Sequence, residues 1–482
     1  MSAKKYETVV GLEIHAELST RTKAFCSCEY KYGGEVNTQC CPVCLGLPGA
    51  LPVLNKKVVE YALKIGLASG CEINKLSSHD RKNYFYPDLA KGYQITQADT
   101  PLCYGGSVSY YHKGEKRSVR LTRIHIEEDT AKILQDDAFK GTLIDFNRCG
   151  VPLIEIVSEP DLRGSEEAKD YLEAVRMLMA ALDICNCRMQ EGSIRCDINV
   201  SVRPEGQAEY GTRVEMKNVN TFSGAVQAIE YEAARQIKLL EEGTPIIQET
   251  RRWDNDNGVN FAMRVKETAA DYRYFPESDL AALVISDEWV DGIRADLPEL
   301  PVARFERYRE MGVSEFESWL FAEHKDKGDF LECCAEIGGV SLKSAANWIA
   351  GDITARLNKA DIAFQDSPVS PESLCAILGM VERGTVSNSA GKLVLDEMFA
   401  GRGEPGDPNE IVARLGLVQV SDEDDLKNIV KEVLAAADPG LITEYRNGKT
   451  NILGFLVGQC MKASKGKGNP QLINKLLKEI ID

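Results

Sequence analysis

Val9-Val-Gly-Leu-Glu-Ile-His-Ala-Glu-Leu18 reads with a period of two: Val10, Leu12, Ile14 and Leu18 share one face, and Glu13, His15 and Glu17 share the other. Three later segments repeat the pattern. Over 121–129, Ile124 and Ile126 oppose Arg123, His125, Glu127 and Asp129. Over 194–203, Ile194, Ile198, Val200 and Val202 oppose Arg195, Asp197, Asn199 and Arg203, and over 212–217, Val214 and Met216 oppose Arg213, Glu215 and Lys217. A solvent-facing strand surface is ordinarily Thr, Ser, Lys and Gln, whereas these faces repeat Glu, Asp, His and Arg. As neighbours in one sheet, the four strands would gather their polar faces into an acidic cleft with interspersed cations. Carboxylates hold hard divalent cations, and Arg and Lys neutralise phosphate charge, so the pattern outlines a Mg²⁺ and phosphate site. The alternative is a salt-bridged exposed face.

Upstream of most of this lie Cys26-x-Cys28 and Cys41-x-x-Cys44, with twelve residues between the pairs. Two close cysteine pairs on tight turns can close a tetrahedral thiolate shell around Zn²⁺. Gly33, Gly34 and Asn37 suit the intervening turn, and Cys40 adjoins the second pair as a competing thiol. Four protein ligands leave no open position, so such a site orders a loop and does no chemistry. The cysteine total is fifteen, an odd number, and no apolar segment follows Met1. Both point to a reduced, cytoplasmic protein, and no stretch has the roughly twenty apolar residues that span a bilayer.

At 482 residues the chain has room for two to four domains. Residues 1 to about 295 carry short alternating segments and most of the turns, reading as a mixed sheet with helices over 163–183 and 223–241. From Pro298 the pattern turns helical, with Trp319, Phe321, Leu331, Ile337, Leu342, Trp348 and Ile349 at helix-like intervals. Gly401-Arg-Gly-Glu-Pro-Gly-Asp-Pro408 reads as a linker before a third, helical unit. The net charge of −17 argues against a chain that coats nucleic acid along its whole surface. The C-terminal end is locally basic, however: Arg446, Lys449, Lys462, Lys465, Lys467, Lys475 and Lys478 face only Glu479 and Asp482, after an acidic run at Asp422–Asp425. That asymmetry suits a small module touching an anion such as RNA, or else a solvated helical tail.

A P-loop, a dinucleotide-binding glycine fingerprint and a Gly-x-Ser-x-Gly elbow are all absent from the sequence. A nucleotide would therefore sit on the sheet itself. Asp80-Arg-Lys-Asn-Tyr-Phe-Tyr-Pro-Asp88, with Lys91, Tyr93 and Gln94, places cations, amides and aromatics in one loop suited to phosphate or a nucleotide end, and Asp271-Tyr-Arg-Tyr-Phe-Pro276 repeats that chemistry.

These motifs closely resemble the B subunits of the heterotrimeric aspartyl/glutamyl-tRNA amidotransferases. The matching stretches are Val10 to His15, Cys41 to Gly49, Asp80 to Asp88, His125 to Asp129, Asn147 to Pro160, Glu191 to Asp197, Asp271 to Pro276, Gly454 to Gln459 and Met461 to Gly466. The resemblance implies an α+β chain: a cradle with a mixed or antiparallel sheet and the zinc knuckle over 1–295, a helical domain over 296–410 and a tRNA-binding helical tail over 411–482. It implies that ATP phosphorylates the side-chain carboxylate of Glu-tRNA(Gln) or Asp-tRNA(Asn) and that ammonia then displaces the phosphate. By resemblance Glu13, His15, Glu127 and Glu215 hold Mg²⁺ with Asp197 beside them, and Arg81, Lys82 and Lys217 are candidates for phosphate contacts. Structural Zn²⁺ falls to Cys26, Cys28, Cys41 and Cys44, and tRNA contacts to Lys449, Lys462, Lys465 and Lys467. The chain shows neither a Ser-Ser-Lys amidase run nor a cysteine glutaminase motif, so ammonia must come from a partner. In the family that partner is the amidase-type A subunit, joined by the small C subunit. Thr130-Ala131 departs from the Ala-Gly that many relatives carry after the acidic triplet, which could alter a turn there.

Overall fold

The computed structural model describes residues 5–134, 141–265, 269–401, 406–418, 423–446, 449, 451–464 and 468–481. It divides into two compact units, 1–302 and 303–482. The first runs β1 (Tyr6–Glu17), α1 (Lys56–Ala68), β2 (Asp80–Asn83), β3 (Tyr93–Thr96), β4 (Ser107–His112) and β5 (Glu115–Glu128). It continues with β6 (Pro152–Ser158), α2 (Ser165–Ala181), β7 (Ile194–Pro204), β8 (Val214–Val219), α3 (Phe222–Glu241), β9 (Glu249–Asp254), β10 (Val259–Val265) and β11 (Phe275–Pro276).

An eleven-stranded mixed sheet organises this unit, in the order β10-β9-β8-β7-β1-β6-β5 followed by the short strands Cys103–Tyr104 and Glu72–Ile73, with β4 paired to β5 and Leu162–Arg163 to β1 off this path. β1 is interior, antiparallel to β7 through Tyr6↔Pro204 to Ala16↔Ile194 and to β6 through Glu13↔Val157 to Glu17↔Leu153. All these pairings are antiparallel except β8 with β9, where α3 makes the long connection that a parallel pair requires. β4 and β5 join through Lys113-Gly114, both at positive φ (52° and 80°), the conformation whose twist matches a two-residue hairpin.

One face of the sheet is the core. Val10, Leu12, Ile14 and Ala16 of β1 bury with Ile124 and Ile126 of β5, Ile154 and Ile156 of β6, and Ile198 and Val200 of β7. Against them pack α1 through Val58, Val59 and Leu63, α2 through Tyr171, Leu172 and Val175, and α3 through Ala225, Ala228 and Ile229. Asn55 caps α1 by accepting from the Lys57 N–H, and Thr221 caps α3 by accepting from Gly224, so both helices start at defined points over the sheet. With the apolar face covered, alternation leaves the polar side chains on the opposite face. A small three-stranded sheet, β11-β2-β3, reaches that face through β3.

The second unit is helical around two separate cores. One gathers Phe321, Leu331, Trp348, Ile349, Leu374, Ile377 and Leu395; the other gathers Leu426, Val430, Leu456, Cys460, Leu476 and Leu477. Part of the linker expected over 401–408, as well as Asp422, Lys465 and Lys467, lies outside the described residues. No helix among the described residues is long and apolar enough to cross a membrane.

Candidate functional site

The register of the sheet sorts the polar side chains into rows. His125 of β5, Glu155 of β6, His15 of β1 and Arg195 of β7 lie in one row across four neighbouring strands. Glu13 and Asp197 pair across β1 and β7, and Asn199 pairs with Glu215 across β7 and β8. The expected ligand set Glu13, His15, Glu127 and Glu215 is therefore distributed over two clusters. His15, Glu127 and Glu155 form one and Glu13, Asp197 and Glu215 the other, each with ligand atoms mutually within 4.8 Å.

Glu155 is the member that sequence reading missed. Its strand, Pro152-Leu-Ile-Glu-Ile-Val-Ser158, is buried along nearly all its length and so reads as an apolar run without alternation. Only the isolated Glu within that run signals it. The strand inserts between β1 and β5, so the segment at 121–129 faces β1 across Glu155.

In the first cluster His15 Nε2 is 3.9 Å from Glu127 Oε2 and 3.7 Å from Glu155 Oε2. His125 Nε2 lies 3.1 Å from Glu127 Oε1 and 3.2 Å from Glu155 Oε2. Thr96 donates to Glu127 Oε1 (2.8 Å) and Gln94 to Oε2 (3.2 Å). Burial and the neighbouring Glu155 push the Glu127 pKa up, but the His125 hydrogen bond and the Lys82 charge prevail and hold it below the ordinary carboxylate value. Burial likewise opposes ionisation of Glu155, and His15, His125 and Lys82 outweigh it. Burial lowers the His125 pKa, yet Glu155 and Glu127 raise it overall, to about 9.

The second cluster is richer in negative charge. Burial pushes the Glu13 pKa up, and Glu155, Glu215 and Asp197 add to that shift. Lys217 pairs with Asp197 and sits 3.3 Å from Glu215, while Thr250 donates to Glu215 (2.9 Å). Asn199 donates to Glu13 Oε1 (3.0 Å), and its own buried Oδ1 has no hydrogen-bond partner among the described residues. An unmatched buried acceptor beside three clustered carboxylates, all hard oxygen donors, fits a hydrated divalent cation such as Mg²⁺. Beside this cluster opens a cavity of about 540 Å³ with Glu13, Arg123, Asn199, Ser201, Tyr210 and Arg213 in its wall.

The three expected phosphate contacts stand in different surroundings. Lys217 is at the second cluster, and Lys82 carries an ammonium whose pKa burial lowers but Glu127 raises, for a net rise. Arg81 is instead held by Glu277 in a two-pronged pair (2.7 and 2.7 Å) and by Asp279 (3.1 Å), stacked 4.3 Å from the Tyr93 ring. The two aromatic loops meet there: Phe275 pairs with Arg81, and Asn83 donates to the carbonyls of Tyr272 and Arg273. Thr130 donates to Asp88 Oδ2 (2.9 Å), while Arg148 donates to the carbonyls of Thr130 and Ala131, so the departure after the acidic triplet sits in a braced irregular segment.

Cys26, Cys28, Cys41 and Cys44 bring their sulfurs within 4.8 Å of one another. The Cys41–Cys44 separation is 3.9 Å, close to the ~3.8 Å edge of a tetrahedron with Zn–S bonds of about 2.3 Å. Cys40 is outside the cluster, its sulfur directed to the Asn37 carbonyl (3.4 Å). The Cys44 pKa falls to about 5, through the Cys26 thiol first, opposed by burial and aided by the Cys41 N–H and the Lys23 ammonium. In the second unit Lys462 is exposed on the helix Asn451–Ala463.

A family model described as the GatB/GatE catalytic domain matches residues 8–291, and one described as the GatB domain matches 329–481. The chain belongs to the GatB family. The B subunit of the aspartyl/glutamyl-tRNA(Asn/Gln) amidotransferase of Caldicellulosiruptor bescii is 49% identical over 483 residues, 99% of each chain. The protein of that name from Thermoanaerobacter pseudethanolicus is 50% identical over 476 residues, covering 98% of this chain and 99% of its own. The one from Clostridium tetani is 48% identical over 480 residues, 99% of each. The match to the GatB/GatE catalytic domain encloses both carboxylate clusters and the four-cysteine knuckle.

Proposed function

We propose that this chain is the component of a tRNA-dependent amidotransferase that activates and amidates the side-chain carboxylate of Glu-tRNA(Gln), Asp-tRNA(Asn) or both. One observation carries the reading: two carboxylate clusters adjoin on one sheet face, beside a cavity lined by Glu13, Arg123 and Arg213. A carboxylate has no usable leaving group, so amide formation from it needs prior phosphorylation by ATP. His15, Glu127 and Glu155, and Glu13, Asp197 and Glu215, would hold Mg²⁺, which would neutralise the phosphoryl charge.

In this reading Arg123 and Arg213 receive phosphate oxygens in the cavity, and Tyr210, 52% exposed, offers a ring for a base to stack on. Lys217 and Lys82 lie beside the two clusters, where they offset charge on the transferred group. Arg81, already clamped by Glu277 and Asp279, shapes the loop instead of meeting phosphate. Ammonia displaces phosphate from the activated carboxyl, and because the chain lacks a glutaminase motif, an amidase-type partner delivers it, with a third, small polypeptide completing the heterotrimer. The knuckle holds structural Zn²⁺ and shapes the loop beside the site. Lys449, Lys462, Lys465 and Lys467 supply the electrostatic contact to tRNA in the helical tail.

The test is reconstitution of the chain with its two partners, misacylated Glu-tRNA, ATP, Mg²⁺ and ammonium chloride. Glutaminyl-tRNA should form in an ATP-dependent way and vanish in Glu127→Ala while tRNA binding persists. Unchanged turnover in that variant would overturn the reading. Failure with both Glu-tRNA and Asp-tRNA despite tight binding would instead favour a tRNA-binding scaffold whose acidic face is only salt-bridged.

A further inference from the structure

His125 belongs to the same row as His15 but plays no part in the function set out above. The two imidazoles occupy opposite situations. His15 is partly exposed on β1, where an ion arriving from solvent can reach it; His125 is 2% exposed and lies beyond Glu155, two strands away. Its Nε2 is within hydrogen-bond distance of one oxygen of each carboxylate in the cluster, 3.1 Å from Glu127 Oε1 and 3.2 Å from Glu155 Oε2.

That shared contact constrains both carboxylates. Glu127 Oε1 receives His125 and the Thr96 hydroxyl together, which commits that oxygen and leaves Oε2 as the one nearer His15, at 3.9 Å. Glu155 Oε2 is tied to His125 on one side and lies 3.7 Å from His15 on the other. A buried glutamate free of such ties would have several rotamers open to it, and each would take its oxygen out of the cluster. Outer partners that fix ligand orientation in this way are known to set metal affinity as strongly as some ligands do.

We propose that His125 is a positioning residue of the His15/Glu127/Glu155 cluster, holding both carboxylates toward His15 through one shared N–H and leaving metal ligation to His15. The proposal rests on the metal reading above and extends it to a residue that touches neither metal nor substrate.

The experiment uses the purified full-length chain and Mn²⁺ alone, followed by titration and by the nitrogen hyperfine coupling of the bound ion. Wild type should show coupling to one imidazole. His125→Ala should bind Mn²⁺ at this cluster about 10- to 100-fold more weakly, with affinity at Glu13/Asp197/Glu215 unchanged. His125→Gln, which retains an N–H donor and is the fallback if the alanine variant does not fold, should recover part of that loss and keep the coupling, whereas His15→Gln should lose it. Wild-type affinity in folded His125→Ala and His125→Gln would overturn the positioning role. Coupling lost in His125→Gln but kept in His15→Gln would make His125 the ligand and overturn it too. Absence of nitrogen coupling in the wild type would overturn both this proposal and the metal assignment beneath it.

Discussion

Cys40 and Cys41 are adjacent in sequence, and the structure gives them opposite consequences. Between residues 26 and 50 only Cys44 is buried, so almost no apolar packing holds this loop. A structural zinc site contributes on the order of 10 kcal/mol to the order of its segment. Removing one of four thiolates from such a shell should cost about a quarter of that, roughly 2.5 kcal/mol, or about 60-fold in zinc affinity at 1.4 kcal/mol per decade. Cys41→Ser makes that change directly. Cys40→Ser alters a weak contact of an intermediate-exposure side chain with the Asn37 carbonyl and should cost under about 0.5 kcal/mol, near twofold. The buried Lys23 ammonium keeps Cys44 Sγ (3.7 Å) as its hydrogen-bond partner in the metal-free state, so that contact does not separate the two variants. Zinc competition against a chromophoric chelator reads the affinities, and limited proteolysis reads opening within 26–50. Equal affinities for the two variants, or a chelated protein as resistant to cleavage there as the metal-loaded one, would refute the reasoning.

Glu155→Gln should lower kcat for ATP-dependent amidation by at least about 100-fold, as Glu127→Ala should, because it removes a charged donor from the same cluster; a Michaelis–Menten comparison with an unchanged tRNA Kd would confirm it. His79 is 2% exposed, stands edge-on to Phe25 at 5.7 Å, and has no hydrogen-bond partner on either ring nitrogen among the described residues. Burial pushes its pKa down to about 4, against an opposing pull from Glu277. A depressed histidine contributes stability that is complete above about pH 6.5 and is lost as pH falls toward 4, about 3 kcal/mol in all. His79→Phe should therefore flatten the pH dependence of the urea midpoint between pH 6.5 and 4, and parallel curves for variant and wild type would dismiss the assignment. Lys462→Glu should weaken tRNA binding similarly for cognate and non-cognate tRNA and reduce the slope of log affinity against log salt by about one; an unaltered slope would remove this side chain from the contact.

What the sequence made legible follows from how each segment is buried. β1, β5, β7 and β8 declared themselves because one face of each packs on helices and the other does not, so alternation survives in the residue order. The helices at Ser165–Ala181 and Phe222–Glu241 were equally readable, since each presents one apolar stripe to the sheet. β6 was hidden by the same logic: covered on both faces, its residues lose the polar alternation, and Glu155 went unnoticed as a site residue. Strand order is not written in local pattern at all. The division of the acidic residues into two clusters depends on β6 lying between β1 and β5, a fact of long-range pairing. The partners of Arg81 were similarly out of reach, because Glu277 and Asp279 arrive from nearly 200 positions away.

The interior place of β1 has a consequence for how the protein is made. β1 leaves the ribosome well before either strand that flanks it, since those strands end at residues 158 and 204. At synthesis rates of about 5–20 residues per second, that leaves roughly seven to thirty seconds in which Glu13 and His15 ride on a strand with neither neighbour complete. Throughout that interval Val10, Leu12 and Ile14 present an unpaired, half-apolar ribbon, the kind of edge that aggregates or recruits a chaperone. The segment that contributes to both carboxylate clusters is thus also an exposed stretch of the nascent chain, and slow translation upstream of β7 would prolong its exposure.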